Sequence, residues 1–157
     1  DATADLKAEA GLAVAKDLLD RNDLDGAYSR YKAVATGSTN VLGAEAKYHM
    51  AYVRYLQQKY TDTEKEVFDL VKKYPSYEYW KARSFILLAD AYVALDDRFQ
   101  AKAALQGVIG NCTEPELVAQ ASARLATINA SEVQRITPSP REELVVPMPG
   151  TDNTDEE

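Results

Sequence analysis

Three stretches of this chain carry the same pattern. Ala27, Thr63 and Ala101 fall at one equivalent position. Tyr31, Val67 and Leu105 lie four residues later, and Val34, Leu70 and Val108 three residues beyond those. Steps of four and three return to one face of an α-helix. Each stretch, 18–35, 54–75 and 91–109, contains a helix end, a polar turn and a second helix. The units recur at spacings of 36 and 38 residues. A period of that length implies stacked helical pairs, because one pair alone cannot bury its apolar face.

The helical period can be followed along the chain. Leu6, Ala10, Ala13, Val14 and Leu18 predict an apolar face on the first helix. Ala27, Tyr31 and Val34 mark the second, ended by 36–40, and a third spans about 41–59. Thr61 and Glu64 predict a capping box for the fourth, with Val67, Phe68, Leu70 and Val71 inward and Pro75 as the stop. The fifth, about 78–96, carries Phe85, Leu88, Ala89 and Tyr92. Asp97 or a neighbour caps the sixth, with Phe99, Ala101, Ala104, Leu105 and Val108. Thr113 and Glu116 predict a second capping box for the seventh, which carries Leu117, Val118, Ala121, Leu125 and Ile128. The seventh helix should cover the open end, with Glu114, Glu116, Gln120, Arg124 and Asn129 turned outward.

The unit 84–109 resembles a tetratricopeptide repeat (TPR) in Phe85, Leu88 with Ala89, Tyr92, Ala101, Leu105 and Val108. The second unit keeps Ala51 and Pro75 but has Thr63 where Ala is usual and Arg54 where Tyr is usual. The first is weaker, with Gly11 at the leading aromatic position. The resemblance covers about residues 5–112. It implies an all-α, right-handed helical-hairpin solenoid of about three helix pairs plus a C-terminal capping helix, over 1–134. Residues 135–157 read as a disordered, acidic, proline-containing tail, in which "ELVVPMP" is a candidate docking motif. The overall style is similar to bacterial cell-envelope TPR proteins.

In that family the first helix of each pair lines a concave groove. The groove positions carry over to Tyr48, Tyr52 and Tyr55 in the second unit. In the third they are Ile86, Asp90 and Val93, with Arg83 one turn earlier, and in the first Leu12, Lys16 and Leu19. Tyr suits such a surface, with large apolar area, few rotors and a hydroxyl. The same stripe also suits packing against the next unit, and both readings stand at this point. Trp80, within "YPSYEYW" (74–80), is expected to fill the gap between units.

Little points to catalysis or a cofactor. His49 is the only histidine and Cys112 the only cysteine, so neither a metal cluster of these residues nor a nucleophile–base set is suggested. The net charge is −7, and 131–157 contributes −5 of it. A near-neutral body argues against nucleic acid and against anionic membrane surfaces. One thiol fits the cytosol or a bacterial periplasm, and the resemblance favours the periplasm. The expected function is a non-catalytic scaffold without cofactors. It would bind a protein or peptide through its concave groove, as the C-terminal part of a longer repeat protein. The alternative is a structural segment that packs on further repeats or self-associates.

Overall fold

A computed structural model describes residues 1–136, which form seven α-helices and, among the described residues, no strand. They are α1 (Ala2–Asp20), α2 (Leu24–Gly37), α3 (Val41–Leu56), α4 (Tyr60–Lys73), α5 (Glu78–Ala94), α6 (Arg98–Asn111) and α7 (Pro115–Ile136). Arg135 and Ile136, expected to open the tail at 135–157, are instead the last residues of α7, and the rest of that expected tail, with "ELVVPMP", lies outside the described residues.

Within the first three pairs one turn is built three times. Asn22, Gln58 and Asp96 have φ of 62°, 60° and 59°, the left-handed conformation that ends a helix. The following amide N–H reaches back to a carbonyl of the last helical turn: Asp23 to Leu18, Lys59 to Arg54, Asp97 to Tyr92. The next helix then begins at once. Asp23 caps α2 by accepting from the Gly26 N–H at 3.0 Å, and Asp97 caps α6 by accepting from Gln100 at 3.1 Å. The turn puts Lys59 at the equivalent place in α4, where no side chain caps the helix. The capping box expected at Thr61 therefore does not form. The one expected at Thr113 is also displaced, because Pro115 is the first helical residue of α7.

Consecutive helices pack on each other. The odd-numbered helices also touch in a row, α1 on α3, α3 on α5 and α5 on α7, whereas the backbones of α2, α4 and α6 stand apart. The odd-numbered helices therefore form the tighter of the two rows, called the inner row below. All nine positions of the sequence repeat are buried. Thr63 replaces alanine there without leaving a polar group orphaned, since its hydroxyl donates to the Lys59 carbonyl at 3.1 Å. One core cluster joins α1, α2 and the Ala46–Met50–Val53 face of α3. A second joins the Ala44–Tyr48–Ala51 face to α4–α7. Helix α3 is shared between them, so neither cluster closes without its neighbour.

Polar contacts join the helices of the second pair and tie that pair to the first. Lys47, nearly buried, donates to Glu66 at 2.6 Å and Asp69 at 2.5 Å, and Tyr28 donates to the other Glu66 oxygen at 2.6 Å. Burial pulls the Lys47 ammonium down, but its bonds to Asp69 and Glu66 outweigh this and raise its pKa. The Tyr74 hydroxyl sits 2.9 Å from the Ala35 carbonyl oxygen and 2.7 Å from that of Ser38. A Cβ at Gly43 would collide with that hydroxyl and with the Ser38 carbonyl, so glycine is required where α3 starts.

Several expected faces are corrected. On α1 the buried residues are Ala8 and Ala15, with Leu12, Leu18 and Leu19 partly covered. Leu6 is 66% exposed and Val14 44%, because α1 has helices on one side only. Phe68 and Phe99 are also exposed, at the edge of their helices' buried stripes. On α7, Gln120 and Arg124 do not point outward as a polar cap but turn toward α3 and α5.

Candidate functional site

Tyr48, Tyr52 and Tyr55 project from α3 along the inner row, but they do not share one environment. Tyr48 is 7% exposed and belongs to the core. Its ring stacks on Tyr52, with centroids 6.4 Å apart and planes at 7°, and packs on Trp80 at 5.4 Å. For Tyr48 the packing reading is correct, because α5 brings Trp80 and Arg83 over the ring. Tyr52 and Tyr55 are half-buried. Trp80 fills the junction between the second and third pairs, touching Tyr48, His49 and Tyr79.

Arg83, on α5, lies over this cluster. Its guanidinium carbon is 4.5 Å from the Tyr48 ring centroid, 5.4 Å from Trp80 and 5.9 Å from Tyr79. It also donates to the Tyr48 hydroxyl at 3.3 Å. Cation–π contacts of this kind are worth about 0.5–2 kcal/mol. One turn along α5 comes Ile86, which is buried. Asp90 follows, accepting from Arg124 Nε of α7 at 2.9 and 3.2 Å through its two carboxylate oxygens.

These side chains enclose a recess of about 140 Å³. Tyr48, Tyr52 and Tyr55 line it from α3; Arg83, Ile86, Leu87 and Asp90 from α5; Gln120 and Arg124 from α7. The recess is well below the ~300 Å³ of ordinary small-molecule pockets and suits a single side chain. Six of the ten expected groove residues meet here. Val93 lies exposed further along α5, and Lys16 is exposed on α1. Leu12 and Leu19 pack into the first core cluster. Gln120 and Arg124 join the recess beyond the residues expected there, although Arg124 is opposite in charge to Asp90 and follows it by 34 residues. Two larger clefts lie elsewhere, one of about 570 Å³ between α5 and α6 and one of about 510 Å³ between α1 and α2.

Ionisable groups around the recess are perturbed by burial. Desolvation raises the Tyr48 hydroxyl, partly offset by Arg83, and raises Tyr55, helped by Asp90. His49 sits behind the stripe, stacked on Tyr31 at 4.9 Å, with Nδ1–H donating to the Glu45 carbonyl at 2.9 Å. Burial holds its pKa below the usual value, and the charges of Arg83 and Lys16 act the same way. Among the described residues no three His, Cys, Asp or Glu side chains gather as a metal ion would require. No helix among them is long and apolar enough to cross a membrane.

No family model matches this chain, and none of the curated proteins searched resembles it at a meaningful level.

Proposed function

We propose that this protein is a non-catalytic interaction scaffold, a TPR-like, right-handed solenoid that binds a protein or peptide along the inner row of helices. The observation that carries this reading is the recess. There three successive inner helices direct aromatic, cationic and anionic side chains into a shared space. Half-buried Tyr52 and Tyr55 offer apolar area and hydroxyls, while Asp90 and Arg124 offer hydrogen bonds at its rim. A recess sized for one side chain fits an extended or helical peptide that inserts an anchor residue. The resemblance to envelope TPR proteins supports a bacterial periplasmic setting.

The test is panning a displayed random-peptide library on the purified chain, followed by titration of the enriched peptides. Tyr52→Ala with Tyr55→Ala should weaken an enriched peptide at least tenfold while the melting temperature stays within a few degrees of wild type. Tyr48 is left intact because its ring is core. Enrichment of peptides that bind the double variant equally well would move the site off the inner row. Failure to enrich any peptide would favour the structural alternative, in which the helical pairs serve only to stack on others.

A further inference from the structure

Because the three units share one register, each residue of α1 has counterparts on α3 and α5. Val14 corresponds to Met50 and Leu88, and these are 44%, 4% and 2% exposed. Ala10 corresponds to Ala46 and Ser84; it is exposed, and both counterparts are fully buried. Ala13 is likewise exposed, where its counterparts His49 and Leu87 are half-buried and buried. On α3 and α5 this face is covered by the preceding pair, α1–α2 or α3–α4. On α1 nothing among the described residues covers it. The face nevertheless stays apolar over its first turns, through Leu6, Ala10, Ala13 and Val14, and becomes polar only at Asp17.

The neighbouring cleft between α1 and α2 does not by itself mark a seat. The same register positions line the cleft between α5 and α6, where a pair already precedes. What distinguishes the first unit is the exposed row on α1 and a change of charge beside it. Where the second unit places Lys47, Glu66 and Asp69, the first has Gly11, Arg30 and Ala33. Glu66 accepts from Tyr28 of the preceding pair. Arg30, at the same place, has no ion pair among the described residues.

We propose that this face of α1 seats one further helical pair, preceding α1 in the same polypeptide and stacked on it as α1–α2 stack on α3–α4. Its second helix would present an acidic residue toward Arg30, at the position where α2 presents Tyr28. The seat continues the interface already repeated twice within the chain, and it does not depend on what occupies the inner recess.

A probe for the seat exists in the chain itself. Glu64 of α4 occupies the position of Tyr28. Residues 39–77 would be repeated and joined directly to Ala4, which the register aligns with Glu78, so that the natural connection into α5 is reproduced. The extended chain should melt in one transition, about 4 °C or more above the 1–157 chain. Val14→Lys should remove that rise in the extended chain while moving the 1–157 chain by less than about 1 °C, since Val14 is solvent-exposed there. Two separate transitions, no rise, or indifference of the extended chain to Val14→Lys would overturn the proposal. It would also fall if light scattering found the 1–157 chain to be a dimer that Val14→Lys dissociates, because the face would then belong to a second copy.

Discussion

Ser84 is fully buried, and its hydroxyl oxygen has no hydrogen-bond partner. Its counterparts in the other two units are alanines. A buried hydroxyl without a partner costs about 1–3 kcal/mol of desolvation. Ser84→Ala removes that cost without opening a sizeable cavity, and denaturant titration should find the variant about 1 kcal/mol more stable. A loss of stability would mean that the hydroxyl has a partner after all. His49 supplies a pH-dependent contribution of defined sign. Its folded-state pKa is depressed, so the unfolded chain binds the proton first as pH falls. The stability it confers is complete above about pH 6.5 and is lost as pH falls from there through the lower folded value. Glu45, whose carboxyl is raised by burial, acts oppositely: its contribution is complete below about pH 4.5 and is lost as pH rises through its folded value. Comparison with His49→Gln isolates the histidine. The melting-temperature advantage of wild type should shrink between pH 7.5 and 5.5, and a constant difference would count against the assignment.

At the scale of the element, the three left-handed turns are equivalent in backbone but not in capping. Asp23 and Asp97 each satisfy an amide of the first helical turn, whereas Lys59 contributes no side-chain bond to α4. A lysine there also places positive charge at the positive end of the helix dipole. Lys59→Asp copies the other two units, and should stabilise the chain by about 1 kcal/mol in chemical denaturation. No gain would mean that the α4 start does not resemble the α2 and α6 starts in solution. Turn geometry of this kind is hard to read locally. Asn22 and Asp96 are residue types that tolerate positive φ, but Gln58 carries no such mark. It is recognisable only because it falls at the same register position. The capping box suggested by Thr61 and Glu64 is the complementary case, a local motif overridden because the preceding turn starts the helix earlier.

Across the whole molecule, stability is distributed between neighbouring pairs and not concentrated in one centre. The Tyr74 hydroxyl links the end of α4 to the end of α2 through the Ala35 and Ser38 carbonyls. Tyr74→Phe keeps the ring in the core and removes only this link. It should cost about 1–2 kcal/mol. Hydrogen exchange should show the loss mainly in α1 and α2, with α5–α7 little changed, since the link reaches only the first pair. Uniform acceleration throughout the chain would mean that the pairs unfold as a single unit. The helical period, the three-fold register and the buried positions of the repeat were legible in the sequence alone. Each of these follows from side-chain spacing along one helix or from self-similarity between segments, whereas the six expected residues that line the recess were reached only through the family resemblance. Which side of a helix found a neighbour depended on tertiary packing. Leu6 and Val14 satisfy the helical spacing as well as Ala8 and Ala15 do, yet they stay exposed because α2 and α3 approach from the other side. Arg124 has the composition of an outward cap residue, yet it turns inward because Asp90 lies across from it on α5. Tyr48 has the spacing of a groove residue, yet Trp80 and Arg83 close over it. Periodicity fixes the faces of a helix, and packing partners distant in the chain determine which of those faces are buried.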